Sequence, residues 1–98
     1  MVDRKGNEMF ISTFEFVADA GHGWLKVLRN EIEDLDIVED ISRFSYINPK
    51  TNEVYLEEDC DMPRFLEAYS KKYGDAIQLK ETHTDWWWGR EALPSFTA

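Results

Sequence analysis

Residues 8–17 read Glu8-Met9-Phe10-Ile11-Ser12-Thr13-Phe14-Glu15-Phe16-Val17, and beyond a turn the chain resumes as Trp24-Leu25-Lys26-Val27. The first stretch is rich in β-branched and aromatic residues. Phe10, Phe14 and Phe16 fall on one face and Ile11, Thr13 and Glu15 on the other, the period of a half-buried strand. Asp19-Ala20-Gly21-His22-Gly23 breaks the run as a turn, so residues 24–27 are predicted to be its hairpin partner.

Outward from this hairpin, Leu28, Ile32 and Leu35 recur at the spacing of a short helix. Residues 37–42 form a connector whose Ile37, Val38 and Ile41 turn inward. Residues 43–47 and 53–57 flank Asn48-Pro49-Lys50-Thr51-Asn52, a turn signal that predicts a second hairpin. A longer helix is predicted from Asp61, whose carboxylate suits the free N–H groups of a first turn, and Pro63 is tolerated there. Met62, Phe65, Leu66 and Tyr69 supply its apolar face. Lys71 and Lys72 suit its negative end, and Gly74 its left-handed stop. Ile77 and Leu79 alternate with Gln78 and Lys80 as a last strand. The expectation is an α+β domain: an antiparallel sheet of about five strands in the order β-β-α-β-β-α-β, with two helices packed on one face. Residues 1–98 are read as one domain with a flexible head (1–7), a core (8–83) and a loose, tryptophan-rich tail (84–98).

Twenty Asp and Glu against eleven Lys and Arg give a net charge of −9 and a pI near 4.6. Nucleic-acid backbones are captured by clustered Lys and Arg, so direct nucleic-acid binding is not expected. Docking on anionic lipid is disfavoured for the same reason. The apolar runs are too short to span a bilayer, and Met1-Val2-Asp3-Arg4-Lys5 lacks an apolar signal core, so a cytoplasmic location is expected. The single cysteine, Cys60, can form neither an internal disulfide nor a thiolate zinc site.

Half of the acids lie in two windows: Glu31, Glu33, Asp34, Asp36, Glu39 and Asp40, then Glu57, Glu58, Asp59 and Asp61. The bland reading is a solvated helix face and a helix start that favours acids. Clustering costs roughly 0.3–0.5 kcal/mol per close like-charged helical pair, which a positive partner would remove. The second window lacks the glycine and spacing of a calcium loop, and His22, His83 and Cys60 share no metal-ligand spacing, so neither metal nor cofactor is expected. Cys60 sits in a negative field that disfavours thiolate, and Gly21-His22-Gly23 is too short for a phosphate cradle, so no enzymatic activity is expected. In the tail, Trp86, Trp87 and Trp88 either cover the sheet or project as interface anchors.

The blocks Gly21-His22-Gly23-Trp24-Leu25-Lys26-Val27 and Tyr55-Leu56-Glu57-Glu58-Asp59-Cys60-Asp61, with Tyr46 and Phe65, resemble a family of small acidic proteins encoded mainly by phages, plasmids and other mobile elements. The likeness covers roughly residues 10–80 and carries over no residue-level activity; the head and the tryptophan-rich tail depart from the family pattern. By analogy it implies an anti-defence role like that of anti-CRISPR proteins, which present carboxylates where a nuclease expects phosphates. The expected partner is therefore the basic surface of a host nucleic-acid-binding defence complex. Glu31, Glu33, Asp34, Asp36, Glu39 and Asp40 would form one contact edge and Glu57, Glu58 and Asp59 the other, with Trp86 to Trp88 as anchors. The alternatives are a homodimeric regulatory or structural module, joined through a sheet edge or the tail, and a weakly metal-dependent enzyme.

Overall fold

A computed structural model describes residues 11–18, 21–74, 76–83 and 93–96. The elements are β1 (Ile11–Ala18), β2 (Gly23–Leu28), α1 (Arg29–Asp34), a single 3-10 turn (Val38–Asp40), β3 (Tyr46–Asn48), β4 (Glu53–Glu57), α2 (Met62–Tyr73) and β5 (Ala76–His83). The five strands make one sheet in the order β3-β4-β2-β1-β5.

β1 and β2 pair antiparallel, with Glu15 opposite Lys26 and Val17 opposite Trp24. β2 and β4 pair the same way, with Trp24 opposite Glu57 and Leu28 opposite Glu53, and β3 closes the Asn48–Asn52 hairpin on β4. The sheet is nevertheless mixed, because β5 lies parallel to β1. This corrects the antiparallel expectation. A helix between two strands returns the chain to its starting end, so β4, α2 and β5 form a crossover. Strand β5 must then run with β4, and therefore with β1.

Strict alternation divides the sheet's side chains. Phe14, Leu25, Val27, Val54 and Leu56 join one buried cluster with Ile32 of α1 and Phe65 of α2, so both helices cover the same face. Val17, Trp24 and Tyr55 form a smaller cluster on the other face, with Tyr46 and Leu93 against it. Gly23 stands in a crowded place: a Cβ there would stand 2.3 Å from Phe16 Cζ and 2.9 Å from Glu58 Oε2, so those side-chain ends would have to shift.

Three local expectations change. Leu28 does not belong to the buried helical stripe; it ends β2 and is 45% exposed. Residues 43 and 44 turn rather than extend, so β3 begins at Tyr46. Residues 93–96 are not loose: Ile47 N–H donates to the Pro94 carbonyl (3.0 Å) and Phe96 N–H to the Ser45 carbonyl (2.8 Å), holding that segment along β3. Gly74 ends α2 at φ 69° as expected. Residues 1–10 and Trp86, Trp87 and Trp88 lie outside the described residues.

Candidate functional site

The end of the sheet that carries Gly23 and Glu57 opens into a cleft of about 480 Å³, lined by His22, Trp24, Phe44, Tyr46, Glu57, Asp59 and Cys60. That volume is in the range of small-ligand pockets, ~300–1,000 Å³. Four separate segments contribute. Trp24 comes from β2 on the face away from the helices, with its ring 5.3 Å from Tyr46 of β3 and 6.3 Å from a stacked His22. Phe44 comes from the 42–45 loop and is 51% exposed, with the Arg43 guanidinium 5.4 Å above its ring centre. Glu57, Asp59 and Cys60 come from the turn after β4.

Asp61 sets this arrangement. It does not cap α2 with its side chain; the carboxylate is 1% exposed and turns toward the 42–45 loop. Oδ1 accepts the Ser42 N–H (2.9 Å), and Oδ2 accepts the Ser42 hydroxyl (2.6 Å) and the Ser45 hydroxyl. The Ser45 oxygen in turn accepts the Glu57 N–H (3.0 Å). Buried charge is tolerated only when its hydrogen-bonding capacity is filled, and here the donors are the two serines of the loop that presents Phe44. One carboxylate thereby ties the cleft's aromatic rim to its acidic turn.

The acids expected to act together are divided by the fold. Glu31 sits at the opposite end of β2, where its Oε1 accepts the Leu28 N–H (2.8 Å), and Glu33 is 3.6 Å from Arg29. Both support the start of α1. Asp36 occupies a left-handed position (φ 56°) after α1, a conformation that Asp tolerates better than most residues. The Asp34 carbonyl accepts from Lys72 Nζ (2.5 Å), while its carboxylate is on the exposed helix surface. Only Glu39 and Asp40, in the 3-10 turn, lead into the Ser42–Asp61 link, and Asp40 is 3.9 Å from Arg64. Residues 31–40 thus run through α1, its exit and the 3-10 turn, with Glu31, Glu33 and Asp40 beside groups of this chain.

The negative charge at the cleft is less compensated. Among the described residues, no Lys or Arg is within 4.0 Å of the carboxylates of Glu57, Glu58 or Asp59. Midway along the same face, by contrast, Lys26 is bracketed by Glu53 (2.7 Å) and Glu15 (3.2 Å). The hydrogen bond to Lys26 holds Glu53 below the usual carboxylate range, and Glu53 in turn raises Lys26. Glu57 Oε2 accepts the N–H groups of Asp59 (3.0 Å) and Cys60 (2.7 Å), which fixes the turn. Its hydrogen bond to the exposed Cys60 thiol, helped by the charges of Asp61 and Asp59, pushes that thiol's pKa up, so it stays protonated at neutral pH.

Among the described residues, no group of three His, Cys, Asp or Glu side chains is arranged to hold a metal ion, and no helix is long and apolar enough to cross a membrane. Sequence reasoning did not find His22, Trp24, Phe44 and Tyr46 as one site. The available signal was parity: Trp24 alternates out of register with Leu25 and Val27, so it must face away from the main core.

The chain is an α+β domain with a mixed five-stranded sheet and two helices on one face. No protein-family model, curated protein or solved structure matches it.

Proposed function

We propose that this protein is an acidic interaction module that inhibits a basic, nucleic-acid-binding partner by occupying its cationic surface with the Gly23–Glu57 end of the sheet. The carrying observation is that carboxylates without an ion pair stand in an aromatic cleft at that end. Glu15, Glu33 and Glu53 have cations of this chain beside them, whereas Glu57 and Asp59 line the cleft without one among the described residues. Surfaces shaped for duplex DNA meet one negative charge per about 1.7 Å of axis and carry dense Lys and Arg to match. The acidic turn after β4 competes for such a surface, steered by long-range attraction and weakened by salt. The resemblance to small phage and plasmid proteins supports a partner within a host defence nucleoprotein complex, in the cytoplasm of the cell that carries the mobile element.

The test compares two variants of equal net charge. Glu39, Glu58 and Asp59 are reversed to Lys in one, and the exposed Asp34, Glu67 and Glu81 in the other. Each protein competes with a fluorescent DNA duplex for protamine, an arginine-rich DNA-binding protein, at 50 mM salt. The first variant is expected to lose at least ten-fold in competing strength and the second less than three-fold, with both melting within about 3 °C of the parent. Equal losses would reduce the effect to net charge and overturn the reading.

A further inference from the structure

We infer that the cleft is a receptor for a single arginine side chain of the partner. This deepens the reading above and rests on it. Three observations select the guanidinium. The lining is aromatic: Phe44 presents a half-exposed ring, and Tyr46 packs 5.3 Å from the buried Trp24 in the same cleft. Such faces attract cations electrostatically, and a planar, weakly hydrated guanidinium gains stacking as well. The polar lining is acidic: Asp59 brings an exposed carboxylate, a group that accepts a guanidinium in bidentate fashion, and Glu57, whose Oε2 holds the turn, adds negative charge beside it. The chain itself supplies an example at the rim, where the Arg43 guanidinium lies 5.4 Å over the Phe44 ring.

A lysine ammonium would gain the charge but not the stacking, and it loses more hydration on entering an aromatic cleft. An apolar side chain would bury the Asp59 carboxylate without bringing a donor to it. The cleft therefore discriminates by the shape of the cation as well as by its sign. The exposed acids Glu58 and Glu39 would then add long-range attraction, while the cleft fixes the register of the complex.

Isothermal calorimetry with hexa-arginine and hexa-lysine, at equal charge and 50 mM salt, tests this. The wild-type protein is expected to bind hexa-arginine at least five-fold more tightly. Phe44→Ala, at an exposed position that the fold tolerates, should abolish that preference while hexa-lysine affinity changes less than two-fold. Asp59→Asn should weaken hexa-arginine more than hexa-lysine. Equal affinities in the wild type, or a preference that survives both substitutions, would overturn the arginine receptor and leave the acidic-surface reading standing. Failure of both peptides to bind would remove both.

Discussion

Replacing Asp61 by alanine is expected to lower the melting temperature by about 12–24 °C. The loss follows from the donors it strands. Three hydrogen bonds from Ser42 and Ser45 converge on this carboxylate, which is 1% exposed. Removing a buried acceptor leaves unpaired donors costing about 1–3 kcal/mol each if none finds water. Ser42 is only partly buried and recovers some of this, so a net cost of about 3 kcal/mol is reasonable. In a domain of this size, each kcal/mol shifts the midpoint by roughly 4–8 °C. Asp61→Asn keeps one acceptor oxygen and should lose less than half as much. Because the same bonds hold the loop that presents Phe44, Asp61→Ala should also weaken hexa-arginine binding below the melting temperature. Thermal denaturation followed by circular dichroism checks the stability term. A shift under about 3 °C would mean that the network contributes little.

Phe65→Ala should be at least as damaging, for a different reason. Its ring is fully buried at the start of α2, edge-on to Phe14 at 5.3 Å and 5.8 Å from Tyr69. It joins α2 to the sheet at the point where Leu25, Val54 and Leu56 are also fully buried. Truncating a buried Phe to Ala costs ~3–5 kcal/mol, from lost transfer energy plus the cavity left behind. A 98-residue domain has about 5–15 kcal/mol in total, so this one change removes a large part of it. Phe65→Leu fills most of the space and should cost ~1.5 kcal/mol or less. Urea denaturation separates the two: the midpoint should fall markedly for alanine and slightly for leucine, with little change in slope.

Short-range physics made much of the fold legible. Alternation at Phe14 and Phe16 marked the first strand, Asn48–Asn52 the second hairpin, and Gly74 the end of α2. The direction of β5 was not legible from Ile77 and Leu79, because alternation fixes faces and says nothing about which strand lies beside them. Asp61 before Met62 and Pro63 has the local signature of a helix cap. Its actual partners, Ser42 and Ser45, are 19 and 16 residues away, and only tertiary packing brings them near. The candidate site was half legible. The Glu57–Asp59 turn stands out as a charge run, whereas the first acidic window divides because Glu31, Glu33 and Asp36 are occupied with building α1 and its exit. Its aromatic walls come from β2, β3 and a loop, a juxtaposition that no spacing rule encodes.

A cationic partner received at the Gly23–Glu57 end of the sheet should perturb that end and leave the rest of the molecule alone. Amide chemical-shift mapping on the ¹⁵N-labelled protein, with hexa-arginine added at 50 mM salt, addresses it most directly. Shifts are expected to concentrate at residues 22–24, 39–46 and 57–60 and to reverse on raising the salt, with α1 and β5 little affected. Shifts spread over every acidic segment, or centred on Glu31 and Glu33, would contradict it.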